Sequence, residues 1–124
     1  MAGETLHEDK DVLGPEILDR HRAISTLMEE LEAIDWYDQR IQASANDELR
    51  AILTHNRHEE TEHASMLMEW IRRNDAVFDQ QMRKYLFKRG PIREQSATAA
   101  NGAADASESA SGLGIGSLRP TEAK

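Results

Sequence analysis

From Glu16 to Ala43 the chain reads "EILDRHRAISTLMEELEAIDWYDQRIQA", with neither glycine nor proline. Its apolar residues Ile24, Leu27, Leu31, Ile34 and Ile41 recur at steps of three and four or their sum. That period is the repeat of an α-helix and excludes a strand, whose side chains alternate from face to face. Gly14-Pro15-Glu16 opens the helix, because proline at the first helical position gives up an amide that has no partner there. A helix this long with one apolar stripe must bury that stripe against another element.

"SAND" (44–47) interrupts the pattern, and Asn46 is placed to cap a second helix whose first turn carries Asp47 and Glu48, complementing the helix dipole. This helix is expected over about residues 47–73, closing on the basic Arg72 and Arg73. Leu49, Leu53, Asn56, Glu60, His63, Leu67 and Trp70 follow alternating steps of four and three, the seam of a helix that packs on helices. A shorter segment, "DAVFDQQMRKYLF" (75–87), has Asp75 as cap and Phe78, Met82, Tyr85 and Leu86 on one side, and ends before Gly90-Pro91.

Two long helices joined by a short turn form an antiparallel hairpin, which is half of a four-helix bundle. With 124 residues in all, the chain offers only the short third segment as further cover, so a second copy of the chain is the expected source of the other half. The organisation expected is a flexible leader (1–14), a helical domain (15–93), a flexible linker (94–111) and a terminal peptide (112–124). The linker follows from composition: 11 of residues 95–111 are alanine or serine, too little apolar surface to offset the entropy of ordering them.

Charge narrows the partners. The net charge is -8, and residues 1–94 hold 13 basic against 20 acidic side chains. This disfavours nucleic acid and anionic membranes and attracts cations. No cysteine is present, which removes disulfide and thiolate chemistry. The leader has no basic and apolar signal pattern, and no apolar run is long enough to span a bilayer, so a cytoplasmic protein is expected.

The seam of the second helix carries polar groups where leucine is expected. At ~100° per residue, Glu60 falls near the centre of the stripe of Leu49, Leu53, Leu67 and Ile71, with His63 ~60° to one side. An isolated carboxylate there is costly unless it is compensated or takes up a proton. On the first helix Glu30 lies at the edge of the stripe between Leu27 and Ile34, whereas Glu29 and Glu32 point to the opposite side with Trp36. Carboxylates and a neutral imidazole suit iron or manganese, and one Glu facing a Glu-x-x-His is half of a di-metal carboxylate site. Two readings stand at this point: a metal half-site, or a polar pair that sets helix register as a buried Asn does. Tyr37, ~20° from Glu30 in projection, is either a hydrogen-bond donor to a carboxylate or an ordinary packed tyrosine. Glu29 and Glu32 are either a weaker site for calcium or another divalent cation, or a solvated acidic face. His21, His55 and His58 project away from the seam.

The stretches "HRAISTLMEELEAIDWYDQR" (21–40), "HNRHEETEHASMLMEWIRRN" (55–74) and "YLFKRGPI" (85–92) closely resemble the encapsulated ferritins. The resemblance implies an all-α, ferritin-like four-helix bundle formed on dimerisation, with a short C-terminal helix and a disordered tail. It implies a ferroxidase, with Glu30, Glu60 and His63 of each chain holding a di-iron centre on the dimer axis and Tyr37 beside it. Glu29, Glu32 and Trp36 match residues where metal enters at the dimer interface. It further implies dimers assembled into a decameric ring, the short C-terminal helix helping to join neighbours, and mineral that accumulates within an encapsulin nanocompartment. The tail fits this reading, since "GLGIGSL" (112–118) looks like a cargo-loading peptide. Leu113, Ile115 and Leu118 are spaced to enter separate pockets of the shell, while Gly114, Gly116 and Ser117 let the backbone lie close to it. The alternative is a non-catalytic metal-binding or structural cargo protein of the shell.

Overall fold

The computed structural model of the chain describes residues 6–95, and these are helical, with no strand among them. A 3-10 turn over Lys10–Val12 precedes α1 (Pro15–Ala43), α2 (Asp47–Arg73) and α3 (Ala76–Tyr85), and a second 3-10 turn covers Ile92–Glu94. Two compact units divide between Asn74 and Asp75.

In the first unit, α1 starts at Pro15 with Gly14 as its cap residue. Ser44 Oγ accepts from the Asn46 amide at 3.1 Å, and Asn46 Oδ1 accepts from the Leu49 amide at 2.8 Å. These two bonds turn the chain within three residues and supply an acceptor to an N-terminal amide of α2 that has no carbonyl partner in its own helix. Asn74 closes α2 in the same manner, its Nδ2 donating to the Trp70 carbonyl at 2.8 Å.

Polar clasps fix how the helices lie on each other. Arg57 Nε donates to Asp38 Oδ1 at 2.7 Å near the turn, and Arg20 Nη2 donates to the Asn74 carbonyl at 3.2 Å at the open end. Residue 20 lies beside 74 and residue 38 beside 57, so α1 and α2 are antiparallel and aligned along their length.

The buried side chains of the described residues are Ala23, Ala64 and Ile71. Two of the three are alanines, whose small side chains let the helix axes approach toward the short end of the usual range. Burying Ile71 contributes ~2–3 kcal/mol, and no large apolar core lies behind it. The stripe expected on α1 is split. Leu27, Ile34 and Ile41 are half-buried, whereas Ile24 and Leu31 are 40 % and 51 % exposed. On α2, Leu53, Asn56, Glu60, His63 and Leu67 are half-buried, while the seam ends Leu49 and Trp70 are exposed. The physical reason is width: one helix covers only part of a neighbour's apolar stripe. The rest of each stripe forms an uncovered apolar face.

In the second unit, Asp75 caps α3 by accepting from the amides of Val77 and Phe78 at 3.1 and 3.0 Å. The helix stops at Tyr85, two residues before the expected limit, because Leu86 is extended and Phe87 is left-handed with φ 59°. A left-handed phenylalanine costs ~1 kcal/mol or more, a conformation usually left to glycine. Gly90 takes φ 87° at the next bend. Gln95 Nε2 then donates to the carbonyls of Arg89 and Pro91 at 3.0 and 3.1 Å and holds that bend closed.

At the end of α2, Glu69 receives both nitrogens of a bidentate Arg72 at 2.8 and 2.9 Å, and Arg73 Nε at 2.6 Å. These guanidinium bonds hold its carboxyl down at about 2 against an ordinary 4.5. A depressed carboxylate stabilises the fold fully above its ordinary range and loses that contribution as pH falls through the folded value. Glu69 is 41 % exposed, so water screens the gain to on the order of 0.5 kcal/mol. Glu69→Gln is expected to flatten the fall in stability between pH 4.5 and about 2, measured by urea denaturation at stepped pH.

Candidate metal centre

Between the two clasps, α1 and α2 bring Glu30, Glu60 and His63 together. Among the described residues they are the one group of three ligand-type side chains whose donor atoms all lie within 4.8 Å of one another. His63 Nδ1 is 3.2 Å from Glu60 Oε1 on its own helix and 3.7 Å from Glu30 Oε1 across the hairpin. The i, i+3 spacing stacks Glu60 and His63 on one face of α2, and the register set by Arg57–Asp38 brings Glu30 to the same level.

Burial and charge act together here. The side chains of Glu30 and Glu60 are 20 % and 25 % exposed, so two carboxyl groups share a partly dry seam. The pKa of Glu30 is raised, chiefly by side-chain hydrogen bonding with Glu60, with burial and the charge of Glu60 adding to the effect. The same bond from Glu30 lowers the pKa of Glu60, and His63 lowers it further. The hydrogen bond to Glu60 raises the pKa of His63, with the charges of both carboxylates assisting. Two carboxyl groups and an imidazole held this close are matched to a cation, since a metal relieves the repulsion that raises the pKa of Glu30.

The other residues singled out in the sequence lie elsewhere. Tyr37 is half-buried, but its ring lies under the Arg40 guanidinium, 5.9 Å from the ring centroid, and no hydrogen bond joins it to Glu30. The same guanidinium lies 5.7 Å from the Trp36 ring, which is 48 % exposed. Glu29 is exposed and Glu32 half-buried, and they gather no third ligand group among the described residues. His55 pairs with Glu59 at 3.2 Å on the surface, and His58 is exposed. Leu113, Gly114, Ile115, Gly116, Ser117 and Leu118 lie outside the described residues. Sequence periodicity gave no sign of the Arg57–Asp38 clasp, because a long-range ion pair leaves no periodic trace; opposite charges on facing helices are the one available signal.

His63 is the most open of the three, at 44 % exposed. On the α2 wheel it falls ~20° from Ile52 and Trp70, which are themselves exposed at 53 % and 38 %. The cluster therefore opens on the uncovered apolar face. A separate polar cleft of about 250 Å³ at the open end of the hairpin is lined by Glu16, Asp19, Arg20, Trp70 and Asn74.

A helical hairpin carrying two carboxylates and an imidazole at one level of its seam, with an apolar face left open, has the form of a ferritin-like half-bundle. The chain belongs to the EncFtn-like family, which it matches over residues 5–89. It is similar to the encapsulated ferritin-like protein of Rhodospirillum rubrum, 52 % identical over 121 residues, covering 95 % of this chain and 86 % of that one. It is also similar to a ferritin-like protein of Thermotoga maritima, 47 % identical over 88 residues, covering 71 % and 77 % of the two chains. Among solved structures, protein ne0167 from Nitrosomonas europaea matches with a TM-score of 0.70 and 53 % identity, covering 72 % of this chain and 98 % of that one. No described helix is long and apolar enough to cross a membrane.

Two carboxyl groups held together without a metal repel when both are charged. Glu30→Gln removes that repulsion, so in chelator-treated protein it is expected to raise Tm by on the order of 2 °C while weakening metal binding. Calorimetry with and without metal checks both signs.

Proposed function

We propose that this protein is a ferroxidase that takes ferrous iron as substrate and releases ferric iron for mineral storage within an encapsulin nanocompartment. The observation that carries this reading is the convergence of Glu30, Glu60 and His63 within 4.8 Å. Hard carboxylate oxygens with one imidazole suit iron, and they favour the ferric product over the ferrous substrate. Each ferrous ion gives up one electron, which dioxygen or its reduction products accept. The protein contributes geometry and a cation-attracting field.

One chain supplies half of a di-iron site. In this reading a second copy covers the apolar face onto which His63 opens and brings its own Glu30, Glu60 and His63, making four carboxylates and two imidazoles around two irons. In this reading Glu29, Glu32 and Trp36 form an outer site for iron, calcium or another divalent cation, and Tyr37, which makes no hydrogen bond to Glu30 within one chain, stands beside the centre of the assembled pair. Similarity to an encapsulated ferritin-like protein supports association with a shell; in this reading the dimers assemble into a ring, a decamer by family resemblance, and dock on the shell through residues 112–118.

Purified protein given anaerobic ferrous iron and then air is expected to develop ferric absorbance well ahead of buffer. Glu60→Ala is expected to slow this by at least about tenfold, as loss of a ligand outweighs loss of a ligand's support. An unchanged rate in the variant would sink the ferroxidase reading, and tight binding with no acceleration would favour a non-catalytic metal-binding cargo protein. Chelation is expected to shift dimers toward monomers, since each chain holds only half of the ligand set.

The shell contact separates from the chemistry. Deleting residues 112–118 is expected to abolish co-purification with the shell while leaving the oxidation rate within about twofold of the full chain.

A further inference from the structure

Sulfur enters this chain only as methionine, since it has no cysteine. Among the described residues Met28, Met66 and Met68 belong to the hairpin and Met82 to α3. A thioether is soft and polarizable, and it takes up one oxygen atom reversibly to become a polar sulfoxide. Its placement decides what it meets.

Met66 follows His63 by three residues, so the two side chains stand on adjoining turns of α2 with Cβ atoms ~5–6 Å apart. It is the one described methionine three or four residues from a member of the metal cluster. Side chains on a helix lean toward its N-terminus, so the Met66 thioether reaches back over the turn that carries His63. On the α2 wheel it lies ~60° from His63, on the side turned away from the buried Ala64 and Ile71. Met66 is 58 % exposed and His63 44 %, so the sulfur and the imidazole share an open edge of the hairpin. Met28 and Met68 have the same chemistry in other places. They are 37 % and 38 % exposed, but Met28 falls ~160° from Glu30 on α1 and Met68 ~140° from His63 on α2.

We propose that Met66 is a capture site for hydrogen peroxide formed at the metal centre. This rests on the ferroxidase reading and adds to it a fate for the reduced oxygen. Two ferrous ions give one electron each to dioxygen, which takes up two protons and departs as hydrogen peroxide. The Met66 sulfur lone pair then attacks one peroxide oxygen. The O–O bond breaks, an S–O bond forms, and the second oxygen leaves as water with both protons. Sulfur is oxidised by two electrons and peroxide is reduced to water, so no further reductant enters. Peroxide that stays beside ferrous iron splits instead into hydroxyl radical, which attacks side chains without selectivity. A thioether one turn from His63 meets the peroxide at high effective concentration before it diffuses away. Each chain carries one such sulfur, so capture is confined to the first turnovers until the sulfoxide is reduced.

The full chain, loaded anaerobically with ferrous iron and then exposed to air with excess catalase in solution, tests this by peptide mass spectrometry. Catalase removes peroxide that reaches bulk water, so oxygen captured next to the centre is what is scored. Met66 is expected to gain one oxygen atom at least about fivefold ahead of Met28 and Met68, whereas metal-free protein in added peroxide is expected to oxidise the three within about twofold of one another. Heavy-isotope dioxygen in place of air is expected to leave its label on the sulfoxide oxygen. Met66→Leu keeps the volume and the apolar character, and in the first turnover without catalase it is expected to release about twofold more peroxide per ferric ion formed, read with a peroxidase dye. Equal oxidation of the three methionines during turnover overturns the proposal, as does an unlabelled sulfoxide or a Met66→Leu protein that releases no more peroxide than the wild type. Ferric absorbance that rises no faster than in buffer overturns the ferroxidase reading and this proposal with it; fast ferric absorbance with Met66 left as the thioether overturns the proposal alone.

Discussion

The approach of Glu30 to Glu60 across the hairpin is the contact on which the rest of the structure turns. Two carboxyl groups in a half-dry seam cannot both carry charge at low cost, and the chain answers with raised pKa values at Glu30 and at His63 beside it. Holding them together requires a register fixed from outside the cluster. Arg57–Asp38 near the turn and Arg20 on the Asn74 carbonyl at the open end provide it, with the site between them. Ala23 and Ala64 let the helices lie close enough for a side chain of one to reach a side chain of the other.

The same economy leaves the hairpin short of a core. Its buried side chains are two alanines and one isoleucine, while leucine, isoleucine, methionine and tryptophan side chains remain exposed. A small chain in this position gains, under the proposed function, stability from association rather than from its own interior. Under the proposed function, the surface that lacks cover and the ligand set that lacks its other half are one requirement, so that folding, assembly and chemistry respond to the same metal.

Much of the fold was legible in the residues. The bounds of α1 follow from Pro15 and from an unbroken apolar period up to Ala43, and those of α2 from Asn46 and the basic Arg72 and Arg73. These signals are local, and short-range physics sets them. The end of α3 was less legible, because no sequence rule announces that Phe87 turns left-handed. Tyr37 shows the limit of projection: it shares a face with Glu30 on a helical wheel, yet its ring lies under Arg40, one turn further along.

The order of residues along the chain accounts for the helices, their caps, the facing of Glu30, Glu60 and His63 toward the seam, and the separation of acidic from basic segments. Periodicity and capping are properties of neighbours in the chain, and they survive in one dimension. Tertiary structure decided that Ala23, Ala64 and Ile71 are the residues enclosed, that Leu31 and Ile24 are not, and that His63 Nδ1 comes within 3.7 Å of Glu30. Those outcomes depend on how close two helices come and how one is rotated against the other. Side-chain volumes and clasps between distant residues fix both, and no local pattern records them.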